Sequence, residues 1–181
     1  MAVLDERDVA HAGSKTCDWR ATDLQSSIEF RKNYESAMNV VSAEDQPFET
    51  TPDGLIKHLV HEKMNTREHC IDAHMLFIKE GSRSGKSRQM SEELIFVAEG
   101  SGYDLHWDVK FDCDVAYSWE WEPEPKRYEW KRGDFLYIPP FTIQQHFNTG
   151  KGEARLIKIT NRIVKSMGFN WVDQLENAPG F

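Results

Sequence analysis

Two stretches of sequence restrict the fold more than any others, residues 81–100 and 133–148. Each sets a short apolar run between turn residues, with polar side chains at every second position. A period of two places alternate side chains on opposite faces, the mark of a β-strand rather than a helix. The same signature recurs between them and around them. Residues 94–98 end in Glu-Gly-Ser-Gly102, residues 103–109 alternate, residues 117–121 are aromatic, residues 135–138 follow Arg-Gly-Asp134, and residues 154–160 follow Gly-Lys-Gly152. Residues 71–79 are apolar on both faces, as in a strand buried on each side. Short strands at regular spacing with glycine turns predict an all-β sandwich or barrel.

The flanks read differently. Thr22 can cap a helix over 22–38, with Ile28, Tyr34 and Met38 on one stripe. Two prolines and an acidic cluster break any helix over 42–52, and Thr51-Pro-Asp-Gly54 has the residue types of a turn. Residues 55–62 fit either a helix or a strand. Asn170 can cap a helix running through Leu175 and stopping before Pro179. The expected organisation is an N-terminal arm and helix over 1–54, a barrel over 55–160, and a short helical tail over 161–181 that packs on the barrel or on a second subunit.

Charge and composition exclude several functions. Lys and Arg number 22 against 30 Asp and Glu, a formal charge of −8 over 181 residues, which repels a phosphate backbone and predicts no nucleic-acid partner. No apolar run approaches the roughly 18 residues of a membrane helix. The acidic start, with Asp5, Glu6 and Asp8, lacks the basic and apolar regions of a signal peptide, so a soluble, cytoplasmic protein is expected. Cys17, Cys70 and Cys113 are an odd, widely spaced set, which argues for reduced thiols. Gly81 to Ser87 imitates a phosphate-binding loop. That motif needs four residues between its glycines and a following helix, whereas three residues and a strand occur here.

The two opening stretches resemble the paired motifs of the cupin superfamily. The first such motif runs from a glycine turn through His-x-His, three residues, Glu, six residues and Gly; Glu93 and Gly100 match its second half. The second runs from Gly through five residues to Pro, then to His and, three residues further, Asn. Gly133, Pro139 and Asn148 fall in that register. The resemblance covers about residues 70–160 and implies a double-stranded β-helix, a jelly-roll barrel that is often a homodimer and holds one divalent metal on inward-facing ligands. Where the motifs carry histidine, this chain has Ser87, Gln89 and Gln144, so Glu93 alone remains of the ligand set.

Two forms of site follow. Gln144 and His146 share a strand face, and Glu93, His106 and His146 together would form a two-histidine, one-carboxylate set of the kind that holds iron, zinc or nickel. Without a metal, Glu93 in an apolar barrel would have a raised pKa suited to acid/base work, with His146 as its partner. Ser87, Gln89, Gln144, His106 and Trp107 are the candidate substrate contacts. Arg83, Lys86 and Arg88 lie where a carboxylate would enter. Trp119, Trp121, Trp107 and Trp130 either line a mouth for a ring-bearing ligand or pack in a core or interface. The expected function is action on a small aromatic or carboxylated molecule, as an oxygenase, lyase or isomerase with an atypical metal or none. The alternative is a binding or partner-stabilising barrel that has lost catalysis.

Overall fold

The computed structural model describes residues 20–22, 24, 25, 29, 36–66, 70–112, 118–169 and 171–181. The chain divides into two compact units, residues 1–37 and 38–181. In the first, the described residues from 20 to 36 are helical, and Gln25 donates to Glu29 one turn on at 3.1 Å. The helix expected over 22–38 stops short of that end, because residue 37 is a bend and Met38 pairs with Thr66 in an isolated bridge; its remaining residues lie outside the described ones.

The described residues of the second unit form thirteen strands: β1 Phe48–Thr51, β2 Gly54–Val60, β3 Ile71–Ile78, β4 Lys86–Gln89, β5 Glu93–Glu99, β6 Ser101–Trp107, β7 Val109–Asp112, β8 Ser118–Trp121, β9 Lys126–Lys131, β10 Phe135–Ile138, β11 Ile143–Asn148, β12 Ala154–Asn161 and β13 Val172–Glu176. They form a six-stranded sheet in the order β1-β2-β3-β12-β5-β10, a five-stranded sheet in the order β13-β4-β11-β6-β9, and a β7-β8 ribbon. Two antiparallel sheets facing each other across one core are the jelly-roll arrangement that the sequence predicts.

Local chemistry sets the connections. Thr51 Oγ1 donates to the Gly54 carbonyl at 3.0 Å and closes the β1–β2 turn. The ambiguous residues 55–62 are mainly strand, because Ile56 pairs with Leu76 and His58 with His74 on β3. Asn148 binds the carbonyls of Ile78 and Gly152 through Nδ2 at 2.9 and 2.8 Å and accepts from the Gly150 amide at 3.0 Å, fixing the turn after β11.

The ends depart from expectation. The only helical residues described in the tail are a single turn, Ile163–Ser166, and residues 172–175, expected as part of a helix, lie in strand β13. That strand pairs with β4, with Asp173 opposite Arg88 and Gln174 opposite Ser87. The pairing satisfies backbone groups that β4 would otherwise present at a sheet edge, and this tertiary gain outweighs a local capping signal. Strand β1 and the first residue of β2 fall within 1–54 and β13 within 161–181, so the barrel draws on both flanks.

Between the sheets the interior changes character along the strands. Ala154 and Leu156 on β12, Leu76 and Ile78 on β3, and Ile95 and Val97 on β5 are buried in one apolar core with Ile56, Trp130, Leu136 and Ile138. Each large aliphatic side chain removed from water contributes roughly 1.5–3 kcal/mol. Two residues further along the same faces stand Lys158, His74 and Glu93, with Thr160 and Asp72 beyond Lys158 and His74. The register joins Lys158 to His74 and Thr160 to Glu93. The barrel therefore has an apolar floor, a charged layer above it and a polar rim. No helix among the described residues is long and apolar enough to cross a membrane.

Candidate functional site

Lys158 is the centre of the charged layer. Its ammonium lies 3.1 Å from Glu93 Oε2, and the two side chains are 4% and 3% exposed. The Gln144 amide donates to the same Oε2 at 2.9 Å. On its other side, Lys158 Nζ is 3.3 Å from His146 Nε2. An ammonium has no lone pair, so Nε2 accepts and the ring proton belongs on Nδ1. Nδ1 faces Asp104 Oδ1 at 2.8 Å but makes no directional hydrogen bond. Asp104 also accepts from Trp130 Nε1 at 2.8 Å and meets His106 Nε2 at 3.4 Å. One chain of contacts thus runs from Gln144 through Glu93, Lys158 and His146 to Asp104.

Burial and charge oppose each other throughout this chain. Burial alone would lower the Lys158 ammonium, but the carboxylates of Glu93 and Asp53 outweigh it and leave its pKa above the ordinary value. Burial would raise Asp104, yet the facing imidazole of His146 and the hydrogen bond from His106 hold its carboxyl below the usual range. Asp53 behaves alike, since burial is outweighed by the Lys158 charge and by the hydrogen bond from Gln174. His74 goes the other way. Burial first, and then the Lys158 charge, lower it to about 4, so its ring is neutral at physiological pH.

A cavity of about 200 Å³ opens on this layer, lined by Ser87, Gln89, Glu93, Gln144, Lys158 and His74 among others. The structure thus brings together the four positions equivalent to the cupin ligand set. The register explains the convergence, with Gln144 opposite Ser87 across β4 and β11. The cavity shares Asp72, Gln89, Thr160 and Val172 with an outer hollow of about 310 Å³ that reaches Arg162, Phe169 and Trp171.

Other candidate residues lie elsewhere. His146 is inside the barrel but stands behind Lys158 and does not line the cavity. His106 turns toward Asp104, packs on Tyr128 with ring centres 4.8 Å apart and lines a separate furrow of about 620 Å³ beside the edge strands β9 and β10. The set of Glu93, His106 and His146 is therefore not assembled, because Lys158 lies between two members and the third faces another hollow. Trp107 lies on the alternate phase of β6 under Lys86, 3.9 Å from the ammonium. Trp130 belongs to the core. Trp119 and Trp121 pack with Phe141, at 5.0 Å from each other and 5.4 Å from Trp119 to Phe141. Arg88 is not free to guide a ligand, because it bonds Asp173 at 2.7 and 3.1 Å and stacks on Trp121 at 3.8 Å. Arg83 and Lys86 share Glu176.

Solved structures with the same arrangement include the oxalate decarboxylase of Lactobacillus farciminis in a formate complex, at TM-score 0.56 and 14% identity over 73% of this chain and 34% of that one. A point mutant of the Bacillus subtilis oxalate decarboxylase matches at 0.55 and 10%, over 73% and 30%. The vicilin of hazelnut, Corylus avellana, matches at 0.55 and 13%, over 75% and 36%. The barrel has the cupin fold. It spans about a third of the length of each of these proteins, and no family model and no curated protein matches the chain. At such identities the likeness carries the cupin fold alone, since unrelated functions share a fold.

The cupin metal does not fit these residues. Only Glu93 keeps a ligand of the right type, its Oε2 already binds Lys158 and Gln144, and the Lys158 ammonium 3.1 Å away repels a dication. Among the described residues no group of three or more His, Cys, Asp or Glu side chains is arranged to hold a metal ion. Sequence reasoning missed Lys158, Asp104 and His74. Asp104 shares the inward phase of His106, a signal that was available.

Proposed function

We propose that this cupin barrel binds a small organic molecule in the polar cavity and acts on it by proton transfer, in the manner of a lyase or isomerase. The observation that supports this reading is a buried Lys158–Glu93 pair lining a cavity in which Gln144 Oε1 has no hydrogen-bond partner. Buried acceptors are almost always paired, and an unpaired one is costly, so its partner is a ligand or a water. Both contacts to Glu93 use Oε2, which leaves Oε1 for the proton of a substrate C–H or O–H. Lys158 has three donors, two of them engaged, and the third is suited to an oxygen on which negative charge develops. The protein works in the cytoplasm as a homodimer.

The second reading is a binding barrel without turnover. It is favoured by the same pair, because each charge is already compensated from within. A small-molecule library screened by thermal shift against the wild type and Glu93→Gln identifies binders, which are then followed for chemical change. Turnover that survives chelators and is lost in Glu93→Gln while binding persists is the expected result. Binding with no turnover in the wild type leaves the second reading, and turnover that needs a transition metal overturns the first.

A further inference from the structure

The cavity also specifies the chemistry of what enters it. Gln144 is 3% exposed and its Oε1 is an acceptor without a donor. Asp72 Oδ1, on the rim, is ion-paired with Arg162 at 3.7 Å but is likewise a buried acceptor that receives no hydrogen bond. Both residues line the cavity. A ligand must therefore donate at two places. It must also accept at one, from Lys158.

Three kinds of small molecule can be weighed against that requirement. An ionised carboxylate only accepts, so it satisfies neither orphan oxygen, and it would meet Glu93, Asp53 and Asp72 in the same wall. An ammonium donates to both but is driven against Lys158, whose own charge is held by its carboxylate neighbours. A hydroxyl donates one hydrogen and accepts through two lone pairs. Several hydroxyls on one frame meet all three positions with no charge to desolvate.

The mouth fits the same class. Trp171 lines the outer hollow and is 39% exposed, so part of its surface is available to the apolar C–H face of a saturated ring. The outer hollow alone, at about 310 Å³, reaches the roughly 300–1,000 Å³ of small-molecule sites. We infer that the cavity takes a neutral, hydroxyl-rich small molecule, a monosaccharide or cyclic polyol, with hydroxyls on Gln144 Oε1 and Asp72 Oδ1, an oxygen on Lys158 and a ring face on Trp171. This inference rests on the reading of the cavity as a small-molecule site.

Calorimetric titration of the full chain tests it, with D-glucose, D-xylose and myo-inositol as neutral probes and D-gluconate and D-glucosamine as charged analogues. At least one neutral probe is expected to bind saturably, with the charged analogues at least about tenfold weaker, a difference of about 1.4 kcal/mol. Gln144→Leu and the surface variant Trp171→Ala are each expected to weaken the neutral probe by about tenfold or more, roughly the loss of one good contact. Trp171→Ala keeps the test valid if Gln144→Leu misfolds. Gluconate or glucosamine binding more tightly than its neutral analogue overturns the ligand class, and so does neutral binding indifferent to both variants. Heat that does not saturate as the neutral probe is added is not site binding and counts against the inference. If the neutral probes fail while another molecule from the library binds, the inference falls and the small-molecule reading stands. If nothing binds, both fall.

Discussion

The ammonium of Lys158 lies 3.1 Å from Glu93 Oε2 in the interior of the barrel, with almost none of either side chain in contact with water. Removing one partner strands the other, and breaking such a pair costs about 3–5 kcal/mol. Lys158→Met and Glu93→Leu are each expected to lose that much in urea denaturation, whereas the double variant is expected to recover much of it. Additive losses in the double variant would mean that the two groups do not hold one another.

The fold was legible because its signals are local and periodic. Glycine turns, alternating apolar runs, and the spacing of Gly100, Gly133, Pro139 and Asn148 all bear on the backbone, and the backbone follows them. Lys158 was not legible. In Leu-Ile-Lys-Ile-Thr160 both strand faces carry aliphatic residues, so alternation does not say which side is inside, and a lysine is by default assigned to water. The pairing of Lys158 with Glu93 joins positions 65 residues apart in sequence, and only the register of β12 on β5 reveals it. The tail misled for a related reason. A cap residue is a local signal, while the vacant edge of β4 is a property of the assembled sheet.

His74 predicts an acid-sensitive barrel. Its folded pKa, lowered to about 4 by burial and by Lys158, lies below the ordinary value near 6.5. Between those values the unfolded chain binds the proton more readily than the folded one. The His74 contribution is therefore complete above about pH 6.5 and is lost as pH falls toward 4, at up to ~1.4 kcal/mol per pH unit. Denaturation midpoints between pH 7.5 and 4, values chosen to span that window, are expected to fall less steeply in His74→Gln than in the wild type. Parallel curves would remove His74 as the cause.

Arg88 ties β13 to the barrel. Its guanidinium makes two bonds to Asp173 and lies over Trp121 at 3.8 Å and Trp171 at 5.0 Å. Lysine keeps the charge but has neither the fork nor the flat face. Arg88→Lys is expected to destabilise by about 1–2 kcal/mol and to speed amide hydrogen exchange in residues 172–176 more than in β12. Uniform acceleration across the barrel would show that Arg88 contributes to global stability rather than holding the last strand.

The outward face of the six-stranded sheet predicts the assembly. Phe135 stands opposite Phe96 and Tyr137 opposite Leu94, and Phe135, Tyr137 and Leu94 are 64%, 57% and 40% exposed. On the same face Ile157 lies beside Met75 and Phe96. An apolar surface continuous over several strands is rarely left open to water, and a two-fold axis lets one such face cover its copy. Light scattering on the eluting protein is expected to give twice the 21.0 kDa chain mass. Phe135→Glu combined with Leu94→Glu is expected to return the single-chain mass, because two like charges on adjacent strands have no partner when the faces close. The far-ultraviolet circular dichroism should be unchanged, since both side chains point away from the core. A wild-type particle of single-chain mass at every concentration measured would remove the sheet face as a self-association surface.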